Sequence, residues 1–380
     1  MRRRGSVIRD AERGTWTVVV DVTPAGAGAR KQVRRRGFPT KAAALEVLRE
    51  LVDQGEKGTY TPPSRLTFGE YLEGWLGRLP VEGLAESTIA NYRRLVRVYL
   101  RPRLGDVRLG ELTPVMFDDL YAELTGRGLS ARTVRLVHTT ASKALSAAER
   151  QRQIPTNPAR SATPPRAAAA KRKQLTVWTA EELRRVLEVI DPGDGMHVAV
   201  AVMAMTGLRR GEAVGLRWDD VDLEGGRLTV RRSIVAVDGQ DIERDDTKTG
   251  TSRRVVDLGP ETVARLRRWR STQNEYRLRM GAGWQGRGQV FTTATGEVLD
   301  LRSFGRRLGT LARRAGVPVI RVHDLRHTHA TLMLAAGANP RTVADRLGHT
   351  SVAFTLDVYA HVLPTQQADA AAALEALIGA

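Results

Sequence analysis

At 380 residues the chain is long for one domain and sufficient for two or three. Its 60 Lys+Arg against 42 Asp+Glu give a net charge of +18, which favours a polyanionic partner, nucleic acid ahead of a membrane because no anchor accompanies the charge. The absence of cysteine excludes disulfides, thiolate metal sites and a cysteine nucleophile. The basic start leads into no apolar core, and the most apolar run, 198–208, is too short to span a bilayer and reads as a buried helix, so a cytoplasmic protein is expected.

Residues 1–60 carry strand-like runs at 5–9, 15–22 and 31–37, separated by glycine-rich turns, and then a helix over 41–54 with Thr40 as its cap. A three-stranded sheet with one helix follows, and Arg34, Arg35 and Arg36 make it a candidate DNA-binding module. Segment 64–162 is helical in pattern. The helix over 88–101 has an apolar stripe of Ile89, Tyr92, Leu95, Val96, Tyr99 and Leu100, Ser87 to cap it and Pro102 to stop it. Arg93, Arg97 and Arg101 fall at i, i+4 and i+8 on another face, a guanidinium row suited to phosphates. A helix over 131–150 repeats the scheme, with Val134, Val137, Ala141 and Leu145 inward and Arg132, Arg135 and Lys143 outward. Residues 163–174 turn proline-bearing, alanine-rich and then basic at Lys171, Arg172 and Lys173, the composition of a linker.

The last segment, 175–380, is helix-rich with an inserted strand pair, 228–237 and 251–258, joined by a polar turn region over 238–250. It ends on an amphipathic helix over 365–380. The fold class expected is multidomain, mainly α with small β-sheets. Arginine is used almost everywhere, and Lys248 is the last lysine in the chain. A position that keeps lysine in such a background suggests a group that must release its proton, which arginine does not do.

The reactive groups of this segment cluster in five stretches: Thr206-Gly-Leu-Arg209-Arg-Gly-Glu212, Asp246-Thr-Lys248-Thr-Gly250, His323-Asp-Leu-Arg326-His-Thr-His329, Leu347-Gly-His349 and Leu356-Asp-Val-Tyr359-Ala-His361. Metal-free transfer of a phosphodiester needs fixed cations at the non-bridging oxygens, and arginine offers two parallel donors. It also needs a nucleophile: a tyrosine deprotonates at neutral pH at a cost of roughly 4 kcal/mol unless a neighbour takes its proton. The leaving oxygen requires an acid, lysine or histidine. The five stretches supply each role.

These stretches closely resemble the signature of the tyrosine recombinases of the phage integrase kind: Arg in a Thr-Gly-Leu-Arg-x-Gly-Glu context, a hairpin lysine, His-x-x-Arg, Leu-Gly-His and a following tyrosine, here Arg209, Lys248, His323, Arg326, His349 and Tyr359. The resemblance covers the catalytic segment by motif. More loosely, it covers the order of an arm-binding module (1–60), a helical core-binding domain (64–162), a linker (163–174) and an α+β catalytic domain (175–380). It implies that Tyr359 attacks the scissile phosphate to give a 3′-phosphotyrosine while Arg209 and Arg326 clamp it. It further implies that Lys248 protonates the leaving oxygen, that His323 is a proton-transfer partner and that His349 bonds the phosphate. No cofactor and no metal are implied. The partners implied are double-stranded DNA attachment sites, a homotetramer docked through 365–380, and in some cases a directionality factor. A type IB topoisomerase-like enzyme and an inactive DNA-binding regulator are the competing readings. The complete residue set argues against the regulator, and the N-terminal module and terminal helix against a monomeric topoisomerase.

Plainer readings accompany several residues. Glu212 either merely pairs with Arg209 or orients it. His323, His327 and His329 share a zinc-like spacing without a supporting carboxylate, so His327, His329 and His361 read as structural. Asp219, Asp220, Asp222 and the acidic run 241–246 read as solvated turn residues, and Tyr276 as a surface residue.

Overall fold

The computed structural model describes residues 5–23, 31–57, 60, 65–166, 176–237, 239–245, 253–349, 351–353 and 375. The architecture is mainly helical with small antiparallel sheets. It divides into two compact units, Met1–Ala170 and Lys171–Ala380.

The first unit opens with an antiparallel meander of β1 (Gly5–Asp10), β2 (Thr15–Asp21) and β3 (Gln32–Phe38), β2 in the middle. Helix α1 (Lys41–Glu56), capped by Thr40, packs on it, and Val18, Val20, Val22, Ala44 and Leu51 form its core. A second apolar core is helical. Helix α2 (Phe68–Arg78) starts with a reciprocal cap: Thr67 Oγ1 accepts from the Glu70 N–H at 3.2 Å, and Glu70 Oε2 accepts from the Thr67 N–H at 2.8 Å. Helix α3 (Glu86–Leu95) passes through a π-helical turn, Val96–Leu100, into α4 (Arg101–Leu104). This corrects the sequence reading at both ends. Ala85, not Ser87, is the cap residue, and Pro102 is accommodated because a missing N–H is tolerated in the first turn of a helical piece. Ile89, Leu95, Val96 and Leu100 are buried as the stripe requires. Helices α5 (Pro114–Gly126) and α6 (Ala131–Arg150) complete the unit, with Val134, Val137, Ala141 and Leu145 of α6 inward.

The second unit is built round α8 (Gly195–Thr206), all of whose residues except Met205 are buried. A helix apolar on every side belongs at the centre of a core. Helix α7 (Ala180–Glu188) precedes it; α10 (Pro260–Met280), α11 (Phe304–Arg314) and α12 (Val322–Ala335) pack against it. Short α9 (Arg210–Gly215) follows it, and α13 (Pro340–Leu347) lies on α12. Asn339 caps α13, and Gly348 ends it at φ 67°.

The strands depart from expectation. The run 228–237 breaks at Arg231 into β5 (Arg227–Val230) and β6 (Arg232–Val237). Strand β5 lies between β4 (Val221–Asp222) and β8 (Arg254–Asp257), while β6 pairs with β7 (Gln240–Asp245), inside the supposed turn region. Charge pairing hid β7 from an apolar-alternation reading: Glu243 bonds Arg217 Nη2 at 2.9 Å and faces Arg232 Nε at 3.4 Å. Asp220, read as solvated, is buried and accepts from Arg232 Nη1 at 2.7 Å. Tyr276 is not a free surface residue either: its hydroxyl donates to the Gly193 carbonyl at 2.9 Å, and its ring stands edge-on to Trp269. Of the helix expected over 365–380, only Glu375 lies among the described residues.

Candidate catalytic cleft

Within the second unit, a cleft of about 580 Å³ is lined by Arg209, Arg210, Glu212, Ser233, His323 and Arg326, with apolar neighbours from α9, β6 and α12. Chain reversal at Gly207, φ 70°, delivers Arg209 to the start of α9. A Cβ at Gly207 would stand 2.5 Å from Leu347 Cδ2 and 2.8 Å from His329 Cδ2, so only glycine lets the turn seat against α12 and α13.

Glu212 is the electrostatic hub. It is 3% exposed. Its Oε2 accepts from the Arg209 backbone N–H at 2.8 Å and its Oε1 from Arg209 Nη1 at 2.7 Å. Arg254, which sequence reasoning missed, forks onto the same carboxylate, Nη1 to Oε1 at 3.1 Å and Nη2 to Oε2 at 2.8 Å. Burial alone would raise the Glu212 carboxyl, yet its bond to Arg254 and the charges of Arg254 and Arg209 hold it at about 2. Glu212 therefore both pairs with Arg209 and orients it. Arg209 keeps 42% of its side chain exposed and donates through Nη2 to the Gly348 carbonyl at 3.2 Å.

Helix α12 supplies the rest. Arg326 is buried and donates to two carbonyls, Gly207 through Nη1 at 2.9 Å and Leu347 through Nη2 at 2.5 Å. His323 is pulled below the ordinary histidine range, first by burial and then by Arg326, so it is neutral at neutral pH and able to accept a proton. His349, just beyond α13, is lowered to about 4, first by burial and then by the charges of Arg326 and Arg209, which donate to the two carbonyls preceding it, Leu347 and Gly348.

Of the other two histidines of α12, one stays against His323 and one turns away. His327 stands edge-on to His323, ring centres 4.9 Å apart. His329 turns away and is held on both nitrogens: Nδ1 bonds the Ala204 carbonyl at 3.1 Å, and Nε2 accepts from Arg346 Nε at 3.1 Å. Among the described residues no group of three or more His, Cys, Asp or Glu is arranged to hold a metal ion. Lys248, Tyr359 and His361 lie outside the described residues, as do Lys171, Arg172 and Lys173.

The basic residues singled out in the first unit are all exposed, but they differ in their neighbours. Arg34, Arg35 and Arg36 lie on β3, and Arg93, Arg97 and Arg132 on helical turns. Arg101 is ion-paired with Glu73 at 3.0 Å, Arg135 reaches the Pro165 carbonyl at 3.5 Å, and the Lys143 ammonium sits 5.3 Å from the Tyr92 ring centre. Among the described residues no helix is long and apolar enough to cross a membrane.

Residues 176–366 match the model of the Phage integrase family, and residues 6–54 that of an Arm DNA-binding domain. A tyrosine recombinase XerC-like protein of Caldanaerobacter subterraneus subsp. tengcongensis is 26% identical over 363 residues, 91% of this chain and 93% of its own. The ICEBs1 integrase of Bacillus subtilis is 30% identical over 342 residues, 89% of this chain and 91% of its own. In fold, the chain is similar to the Tn1549 transposon integrase solved in complex with a circular intermediate DNA (TM-score 0.64, 19% identity, 82% of this chain and 99% of that one). It is also similar to a lambda integrase dimer bound to a COC′ core site (TM-score 0.53, 18% identity, 77% and 95%). The chain belongs to the phage integrase family of tyrosine recombinases.

Proposed function

We propose that this protein is a site-specific DNA recombinase that cuts and rejoins strands through Tyr359, integrating or excising a mobile element. The observation that carries the reading is the gathering of Arg209, His323 and Arg326 on one cleft, with His349 following the two carbonyls that Arg326 and Arg209 hold, Leu347 and Gly348. In this reading the Tyr359 oxygen attacks the scissile phosphorus while a neutral His323 accepts the phenolic proton. The bond from phosphorus to the 5′ oxygen breaks, Lys248 protonates that oxygen, and the strand is left as a 3′-phosphotyrosine. Arg209 and Arg326 neutralise the charge that builds on the non-bridging oxygens, and His349 donates a bond there. One phosphoester is exchanged for another, so rejoining needs no ATP, and none of the assigned roles calls on a metal. The Tn1549 and lambda integrases were solved on DNA, and the exposed basic residues of the first unit suit a duplex partner here. Two attachment sites held by a homotetramer is the assembly this function requires, with a directionality factor an added partner in some reactions.

The test is covalent capture. Wild-type protein mixed with a nicked, random-sequence duplex pool is expected to retain DNA through denaturation and protein extraction, and Tyr359→Phe to retain none. Equal retention by both proteins, or none by the wild type, overturns the reading.

A further inference from the structure

Three consecutive carbonyls at the end of α13 each accept from a different arginine: Arg346 from Arg254 Nε at 2.7 Å, Leu347 from Arg326 Nη2 at 2.5 Å, and Gly348 from Arg209 Nη2 at 3.2 Å. Arg209 and Arg326 line the cleft. Arg254 does not: its side chain is 7% exposed, and all three of its nitrogens are engaged, Nε by the Arg346 carbonyl and both Nη by Glu212.

The bonds close a ring. Arg254 grips Glu212, Glu212 grips Arg209, Arg209 grips the Gly348 carbonyl, and the chain returns through Arg346 to Arg254. The Gly348 backbone lies directly on the Arg254 guanidinium, since a Cβ there would stand 3.1 Å from Nη1 and 3.2 Å from Cδ. Strand β8, helix α9 and the turn that carries His349 therefore meet on one buried side chain.

We propose that Arg254 is a positioning residue for strand cleavage, fixing Arg209 and the Gly348–His349 turn at one separation through Glu212 and the Arg346 carbonyl. This rests on the recombinase reading above. A lysine cannot replace it fully, because one ammonium cannot bond both carboxylate oxygens in parallel and the carbonyl as well. The role is conveyed through Glu212, so damage to either residue disables the same ring.

The experiment uses the full chain and a duplex recovered from the random pool by covalent capture with wild-type protein. Arg254→Met, Arg254→Lys, Glu212→Gln and the double variant Arg254→Met/Glu212→Gln are compared for duplex affinity and for single-turnover adduct formation at saturating DNA. Circular dichroism reports the folded fraction. Arg254→Met is expected to slow adduct formation on the order of 10–100-fold, as loss of a residue that orients a charged first contact does, with affinity nearly unchanged. Arg254→Lys should fall in between, and the double variant should be no slower than the slower single. Wild-type rates in the Arg254 variants, a loss confined to affinity, a loss that tracks the folded fraction, or effects that multiply in the double variant would each overturn the proposal. Should Arg254→Met not fold, Arg254→Lys decides by the same criteria. Failure of the wild type to capture any duplex removes the recombinase reading itself, and this inference with it.

Discussion

The arginines singled out on the surface of the first unit and those gathered round the cleft of the second live in opposite environments. In the first unit Arg34, Arg35, Arg36, Arg93, Arg97 and Arg132 stand exposed on a strand and on helical turns. In the second, Arg254 and Arg326 are buried, and Arg209 is tied to Glu212 and to the Gly348 carbonyl. The net charge of +18 is thus a sum over two kinds of cation. An exposed guanidinium acts through a field that salt screens within about 10 Å at 0.1 M, so its position matters little and its charge matters most. A buried one has given up its water and holds its place only through specific acceptors, so its geometry is what counts.

The sharpest way to break this contrast is at Arg326. On the proposed function, Arg326→Ala should lower single-turnover cleavage by on the order of 10²–10³. It should also destabilise the fold by about 1–3 kcal/mol, because the Gly207 and Leu347 carbonyls lose their partner. Arg326→Lys should recover little of either, measured by adduct formation and by urea midpoint.

Glu212 probes the same buried network. Glu212→Ala leaves Arg254 without its counter-charge and should destabilise the unit by about 3–5 kcal/mol in denaturant unfolding. The wild-type carboxyl sits at about 2 against an ordinary 4.5, so its contribution is complete above pH 4.5 and lost as pH falls towards 2. Glu212→Gln should flatten that limb of a plot of thermal midpoint against pH.

His329 sharpens the contrast further, away from the cleft. Burial, then Arg346, lowers it from 6.5 to about 4. The unfolded chain takes up this proton first, so stability is full above pH 6.5 and declines as pH falls to about 4. His329→Gln should remove that portion of the pH dependence.

The smallest effects belong to the exposed set. Arg97→Ala or Arg132→Ala should weaken duplex binding at every sequence and reduce the slope of log affinity against log salt by about one. Lysine at either position should restore most of the loss. If Arg97→Lys proved as damaging as Arg326→Lys, the distinction between field and geometry would fail.

Sequence reasoning reached the elements whose signals are local and lost those whose signals are relational. Strands β1, β2 and β3 and the stripes of α3 and α6 follow from apolar periodicity, and Arg209, His323 and Arg326 stand in short motifs. Arg254 was invisible because β8 reverses the usual rule: Arg254 and Val256 point inward while Val255 is 56% exposed. Counting back in twos from Val256 would have put Arg254 inside, but an arginine beside another arginine reads as surface. Asp220 was misread because its partner, Arg232, lies twelve residues on in β6, beyond what a local reading pairs. The π-helical turn at Val96–Leu100 was invisible because Leu95, Val96, Tyr99 and Leu100 have the spacing of an ordinary α-helical stripe.

The most direct test of the central claim is the identity of the residue that carries the DNA. Nuclease and protease digestion of the captured complex, followed by mass spectrometry, should locate a nucleotide 3′-phosphate ester on Tyr359. An ester on Tyr276, whose hydroxyl is already committed to the Gly193 carbonyl, or on a residue other than tyrosine would contradict the account.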